Sequence, residues 1–207
     1  MKLLVACEES QVVCSAFRVK GHEAYSADIV DCSGGHPEWH IKGDVLDILD
    51  DRWDMMIAHP DCKRLTNAGV RWLTVPPKGK TLDEMWKALF KSAEFYLRLR
   101  NAPIKKKAIE NPVMHCYAKQ LISDYWIKPR QIVQPWWFGD KAFKATGFEL
   151  HNVPNLVQTN RLTPPERGTQ EHKEWSFIHR AKPGPDRARL RSKTFPGIAS
   201  AMAEQWG

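Results

Sequence analysis

Trp53-Asp-Met-Met-Ile-Ala-His-Pro-Asp-Cys62, continuing through Lys63-Arg-Leu-Thr66 toward Trp72-Leu73, decides how this chain is read. A short apolar run, Met55 to Ala58, stops abruptly in a proline-containing turn that carries a lone thiol. Such a run reads as a buried strand that delivers Cys62 to the loop at its carboxyl end. In open α/β sheets, ligands bind outside the carboxyl ends of the strands. Chemistry is therefore expected at Cys62.

Toward the amino end, Lys2-Leu-Leu-Val-Ala-Cys7 is a compact apolar run suited to a central parallel strand. Glu8-Glu-Ser-Gln follows, then Val12, Val13, Ala16 and Phe17 at helical spacing, with Lys20-Gly21 as a stop signal. His22 to Asp28 predicts a second strand ending in an acid, and Gly43-Asp44 closes a short third one. Toward the carboxyl end, residues 63–80 are rich in Pro, Gly and Lys without a sustained period, and predict a mobile loop. A helix is expected from Leu82 to Arg100, with Thr81 as N-cap and Met85, Ala88, Leu89, Phe95 and Leu99 on its apolar side.

Lys105-Lys-Lys-Ala-Ile-Glu110-Asn-Pro predicts a fifth strand that, like the fourth, ends in a proline turn. Two strand ends then present Cys62 and Glu110, and neighbouring strands would face thiol and carboxyl into one pocket. Met114 to Tyr125 suits a short helix, Gln131 to Pro135 a strand, Trp136-Trp-Phe-Gly-Asp140 a loop, and Phe143 to Leu150 another strand. Residues 151–193 allow no long element, and Thr194 to Trp206 forms a closing helix with Pro196 near its start. Strands alternating with helices predict a doubly wound, mostly parallel, Rossmann-like α/β sheet in one domain spanning residues 1–207.

Composition narrows the function classes. The formal charge of +7 favours a polyanionic partner. Basic residues gather at Arg161, Arg167, Lys173, Arg180, Lys182, Arg187, Arg189, Arg191 and Lys193, as a solvated loop or as a phosphate-contacting arm. Five cysteines without CxxC spacing argue against a disulfide scaffold or a zinc site, and His36, His40 and His59 lack ligand spacing, so no metal is expected. Nine tryptophans are read mainly as packing, with base stacking as the functional alternative for some. No apolar run approaches the roughly 20 residues of a membrane span. The first residues break into acid at Glu8-Glu9, too early for a signal peptide, so a cytoplasmic location is expected.

Asp28, at the end of the second strand, is placed to accept hydrogen bonds from ribose hydroxyls, or else is a solvated strand end. The first turn lacks G-x-G-x-x-G, so no dinucleotide cofactor is indicated. For Glu8 and Ser10, helix capping competes with cofactor contact.

In this order, the residues resemble the C5-cytosine DNA methyltransferase family, most nearly its small phage-type members, over nearly the whole chain. Val5-Ala-Cys-Glu-Glu-Ser10 resembles the first cofactor turn, His59-Pro-Asp-Cys62 the Pro-Pro-Cys nucleophile loop, Glu110-Asn-Pro the Glu-Asn motif, and Phe195-Pro-Gly-Ile-Ala the closing helix. The resemblance implies an S-adenosylmethionine methyltransferase fold, with Cys7, Glu8, Ser10, Asp28, Ile29, Asp44, His59 and Pro60 around the cofactor. It implies Cys62 as nucleophile, Glu110 as the acid at the base, and Asn111 fixing their loop. Duplex DNA, single-stranded DNA or a nucleotide would be the substrate, touched by Asp61, Arg64, Lys144 and Thr146.

Three positions depart from the family pattern. Asp61 replaces the second proline, and a carboxylate beside Cys62 should raise its pKa unless Lys63, Arg64 or Arg71 compensates. Lys144 and Thr146 stand near where Gln-x-Arg-x-Arg is expected. After residue 150 there is no room for a large target-recognition domain. Two other readings stay open: a related enzyme acting on another pyrimidine or a nucleotide, and an inactive protein that binds nucleic acid or a host factor.

Overall fold

The computed structural model describes residues 1–110, 113–122, 130–182, 184 and 190–207. Its centre is a seven-stranded sheet: β1 (Lys2–Ala6), β2 (Glu23–Asp28), β3 (His40–Lys42), β4 (Met55–Ala58), β5 (Lys106–Glu110), β6 (Arg130–Val133) and β7 (Thr146–His151). Their spatial order is β3-β2-β1-β4-β5-β7-β6. The first five strands run parallel, while β7 lies antiparallel to both β5 and β6. The chain winds outward from β1 through β3, then returns to lay β4 on the other side of β1. That reversal is a topological switch point at the carboxyl ends of β1 and β4, where doubly wound sheets bind their ligands.

Among the helices of the described residues are α1 (Val12–Val19), α2 (Asn67–Val70), α3 (Leu82–Arg100), α4 (Cys116–Ile122), α5 (Gln170–Trp175), α6 (Phe177–Arg180) and α7 (Pro196–Trp206). Burial on both faces explains the unbroken apolar runs of β1 and β4. Leu3, Val5, Met55 and Ile57 pack with Phe17 of α1 and Ile198, Met202 and Trp206 of α7. Leu4, Ala6, Met56 and Ala58 pack with Leu89, Tyr96 and Leu99 of α3 and Ala118 and Ile122 of α4. None of the helices among the described residues is long and apolar enough to cross a membrane.

Thr81 caps α3 as the sequence predicts, in a reciprocal box: its hydroxyl accepts from Glu84 N–H and the Glu84 carboxylate accepts from Thr81 N–H. The buried face of α3 is Met85, Leu89, Ala93, Tyr96 and Leu99, with Ala88 and Phe95 only half buried. Residues 63–80 are not the featureless loop expected. They hold α2 and a 3₁₀ turn, Arg71–Leu73, with Leu65 and Leu73 buried in the core. The helix expected over residues 114–125 is described only as α4, and its end falls outside the described residues.

Gly197 shows why α7 can close the structure. A Cβ there would stand 2.1 Å from the Phe138 carbonyl oxygen and 2.6 Å from Oδ2 of Asp140. Without one, Gly197 N–H donates to that Asp140 oxygen at 2.9 Å, seating the start of α7 on the loop before β7.

Candidate active site

Strand register sets the site. Ala58 pairs with Ile109 in the parallel β4–β5 ladder, so Cys62 in the turn after β4 and Glu110 at the end of β5 stand at adjacent strand ends. The same β4 residue pairs with Ala6 on its other side, and His59 N–H donates to the Ala6 carbonyl at 2.9 Å. The turns after β1 and β4 and the end of β5 therefore lie side by side at the carboxyl ends of the parallel strands.

The two loops beyond β4 and β5 are stapled together. The buried His115 donates its backbone N–H to the Leu65 carbonyl at 3.0 Å, and its Nε2 lies 2.8 Å from the Arg64 carbonyl. A bridge between Thr66 and Met114 adds a second tie. Gly69 is needed here, because a Cβ would lie 2.3 Å from the Lys63 carbonyl oxygen. This bracing fixes the Cys62 loop from behind.

Cys62 is half buried. Burial, then the charge of Glu110, then that of Asp61 push its thiol up, while Lys144 pulls it down. Glu110 is 24% exposed, and Nδ1 of His59 lies 3.0 Å from its Oε2. Burial alone would raise Glu110. The His59 hydrogen bond, the Lys144 charge and the His59 charge together outweigh it and hold the carboxyl below its usual range. Cys62, Glu110, His59 and Lys144 thus form one electrostatic unit, with a protonated thiol facing an ionised carboxylate.

The cation acting on the thiol is Lys144. Lys63 instead sits 3.5 Å from Asp61, whose other oxygen accepts from Lys63 N–H at 3.0 Å. Arg71 lies over the Trp72 ring, 3.9 Å from its centroid. Two of the residues expected at the substrate have the following partners. The Arg64 guanidinium turns to Met85 Sδ of α3 at 3.6 Å, and Thr146 is buried with its hydroxyl donating to the Lys144 carbonyl at 3.2 Å. Asn111 lies outside the described residues.

The turn after β1 lies in the field of carboxylates. Cys7 adopts a positive φ of 60° as the chain leaves β1. Its thiol is pushed up to about 12 by burial and then by Asp28, Asp44 and Asp61, so these three carboxylates surround the turn. Asp28 accepts from Val30 N–H and Asp44 from Leu46 N–H, each through one oxygen, which leaves a second oxygen for ligand hydroxyl or amino donors. Ile29 is 73% exposed beside Asp28, an apolar shelf at the same strand end. Ser10 is half buried and Pro60 is buried. Carboxylates and an apolar shelf fit the polar and flat parts of a nucleoside.

Glu8, also expected at the cofactor, is engaged with the backbone of α1. It is buried, and its two oxygens accept from Val13 N–H at 2.7 Å and Cys14 N–H at 3.1 Å, capping α1. Of the two roles open to it, capping consumes both oxygens. His59, expected at the cofactor, is committed through Nδ1 to Glu110. No local pattern forecasts that pair, because it depends on the β4–β5 register.

Strand order and direction make this a doubly wound Rossmann-like sheet with β7 reversed, an architecture consistent with a methyltransferase fold. Neither known protein families nor curated proteins yield a match to the chain. Among solved structures it is similar to a prophage-encoded Escherichia coli protein described as a candidate DNA modification methyltransferase, with 13% identity and a TM-score of 0.47. That alignment covers 79% of this chain and 52% of the other, so the chain spans about half the length of that structure.

Proposed function

We propose that the chain is an S-adenosylmethionine-dependent methyltransferase acting at C5 of a cytosine in DNA through a covalent Cys62 adduct. One observation supports the reading: Cys62 follows β4 and Glu110 ends β5, two adjacent parallel strands, and Lys144 acts electrostatically on both side chains.

Cytosine C5 is too weak a nucleophile to take a methyl group directly. Addition of the Cys62 sulfur at C6 converts C5 into an enamine-like carbon, and Glu110 serves N3, where the adduct gains a proton. Lys144 supplies positive charge where the family carries an arginine at the base carbonyl. Bound S-adenosylmethionine supplies an electrophilic methyl on sulfonium. Asp28 and Asp44 would hold its nucleoside through their free oxygens. In a duplex the target base must leave the stack, which costs a few kcal/mol.

The basic segment supports a nucleic-acid substrate. Phe143, adjacent to Lys144, donates its N–H to the Trp175 carbonyl at 3.0 Å, and its ring lies 5.5 Å from that of Trp175. Helices α5 and α6 are thus fastened next to the site, with Lys173, Arg180 and Lys182 on or beside them. DNA containing 5-fluorocytosine, incubated with protein and S-adenosylmethionine, tests the reading. A denaturation-resistant adduct that Cys62→Ser abolishes is expected; an adduct formed equally by the serine protein would refute it.

A further inference from the structure

Glu110 stands between a nucleophile and an imidazole. Its charge bears on the Cys62 thiol, while its Oε2 lies 3.0 Å from Nδ1 of His59. A carboxylate only accepts, so Nδ1 carries the hydrogen of that bond. His59 is itself fixed, 7% exposed, with its backbone on Ala6 of the neighbouring strand. Its Nε2 is buried and has no partner among the described residues. The contact with Glu110 is therefore the polar contact that orients the ring.

Among the described residues, the titratable groups facing this pair come from three segments. Cys62 and Asp61 belong to the loop after β4, Glu8 to the turn after β1, and Lys144 to the segment entering β7. The resting form of Cys62 is the thiol, so attack on the base needs an acceptor for its proton. A nucleophile, a base and a third group that orients the base form the general pattern of an activated nucleophile.

We propose that His59 is a positioning residue: it holds one oxygen of Glu110 so that the carboxylate takes the Cys62 thiol proton during attack and hands it to N3. The inference rests on the cytosine reading above. The step balances without solvent. The S–H bond breaks and the Sγ–C6 bond forms, the C5=C6 pair shifts to C4=C5, and the N3=C4 pair becomes the lone pair that receives the proton through Glu110.

The test is the rate of adduct formation on 5-fluorocytosine DNA with S-adenosylmethionine, followed across pH for wild type, His59→Leu and His59→Asn. Leucine fills the space without a donor, whereas asparagine places an amide N–H near the Nδ1 position. His59→Leu is expected to slow the adduct on the order of 10²-fold. It should also move the acidic limb of the rate to higher pH, because burial then protonates Glu110 more readily. His59→Asn should restore most of the rate and return the limb.

If His59→Leu melts early, His59→Gln replaces it, because its amide reaches toward the Nε2 position instead and the same loss is expected. A folded Leu or Gln protein with wild-type rate and limb would overturn the role of His59 while leaving the cytosine reading intact. Failure of asparagine to rescue would overturn it as well. A wild type that forms no adduct on any DNA would overturn the cytosine reading, and this inference with it.

Discussion

Nζ of Lys144 donates to the Lys193 carbonyl at 3.1 Å, tying a cation that acts on both Cys62 and Glu110 to the basic carboxyl-terminal segment. The bond gives that segment a structural part in the chemistry besides any contact with phosphate. Lys144→Met removes the charge that opposes the rise of the thiol. Adduct formation on 5-fluorocytosine DNA should fall by about 10- to 100-fold, the effect of losing a close opposite charge. Lys144→Arg keeps the charge and should retain an intermediate rate. A Met protein as fast as wild type would show that Lys144 acts on neither group.

Reactivity of the free thiol gives an ordered prediction. Glu110 raises Cys62 more than Asp61 does, and Asp61 is 67% exposed with Lys63 at 3.5 Å. Alkylation by iodoacetamide at about pH 8 should therefore speed up more for Glu110→Gln, roughly fivefold, than for Asp61→Asn, where screening keeps the gain near twofold. Mass spectrometry of the Cys62 peptide reads the rate, with the exposed Cys116 as internal reference. The reverse order would mean that the exposed carboxylate governs the thiol.

What the sequence made legible follows from local physics. Met55 to Ala58 and Leu3 to Ala6 announce buried parallel strands because both of their faces are covered, which removes alternation. Thr81 and Glu84 announce a helix start because capping is local. Residues 67–70 escaped because a single helical turn is shorter than any apolar period. Cys62 and Glu110 could be proposed as partners from two proline turns, but the tie of Glu110 to His59 needs the parallel register of β4 and β5. Lys144 reaches the site because β7 runs antiparallel beside β5, with Phe148 opposite Glu110. No spacing in the chain encodes that return.

A second polar cluster, remote from the thiol, went unread for the same reason. Glu149 is 2% exposed and bonds Arg100 Nε at 2.7 Å, Tyr96 hydroxyl at 2.7 Å and His151 Nε2 at 2.8 Å, joining α3 to β7. Its signals were present as Tyr96 and Arg100 four apart on one helix, and Glu149 and His151 two apart on one strand face. Burial raises Glu149, but the His151 and Tyr96 hydrogen bonds and the Arg100 charge hold it below its usual range. A depressed carboxyl stabilises the fold above its unfolded pKa, and that contribution is lost as pH falls through the folded value. Glu149→Ala should cost about 3 kcal/mol near pH 7, read by urea melts. It should also flatten the acid-side loss of stability below about pH 4. An unchanged acid profile would show that Glu149 is not what the acid titrates.

If the carboxylates around Cys7 hold a nucleoside, heating the protein with and without S-adenosylhomocysteine separates them from carboxylates that only hold the fold. A ligand that binds only the folded state adds about 2.7 kcal/mol at 100 times its Kd. Among the described residues the Asp28 carboxylate makes one local bond, to Val30 N–H, so Asp28→Ala should melt close to wild type alone. With the ligand it should gain less, by about 1.4 kcal/mol for a tenfold weaker Kd. Glu8→Ala should do the opposite. It strips the cap from α1 and lowers the melt without ligand by about 1–2 kcal/mol. The ligand-induced gain should be largely kept, because the lost oxygens faced backbone amides. If removing Asp28 leaves the ligand shift whole, the nucleoside does not lie at the end of β2, and the carboxylates around Cys7 need another explanation.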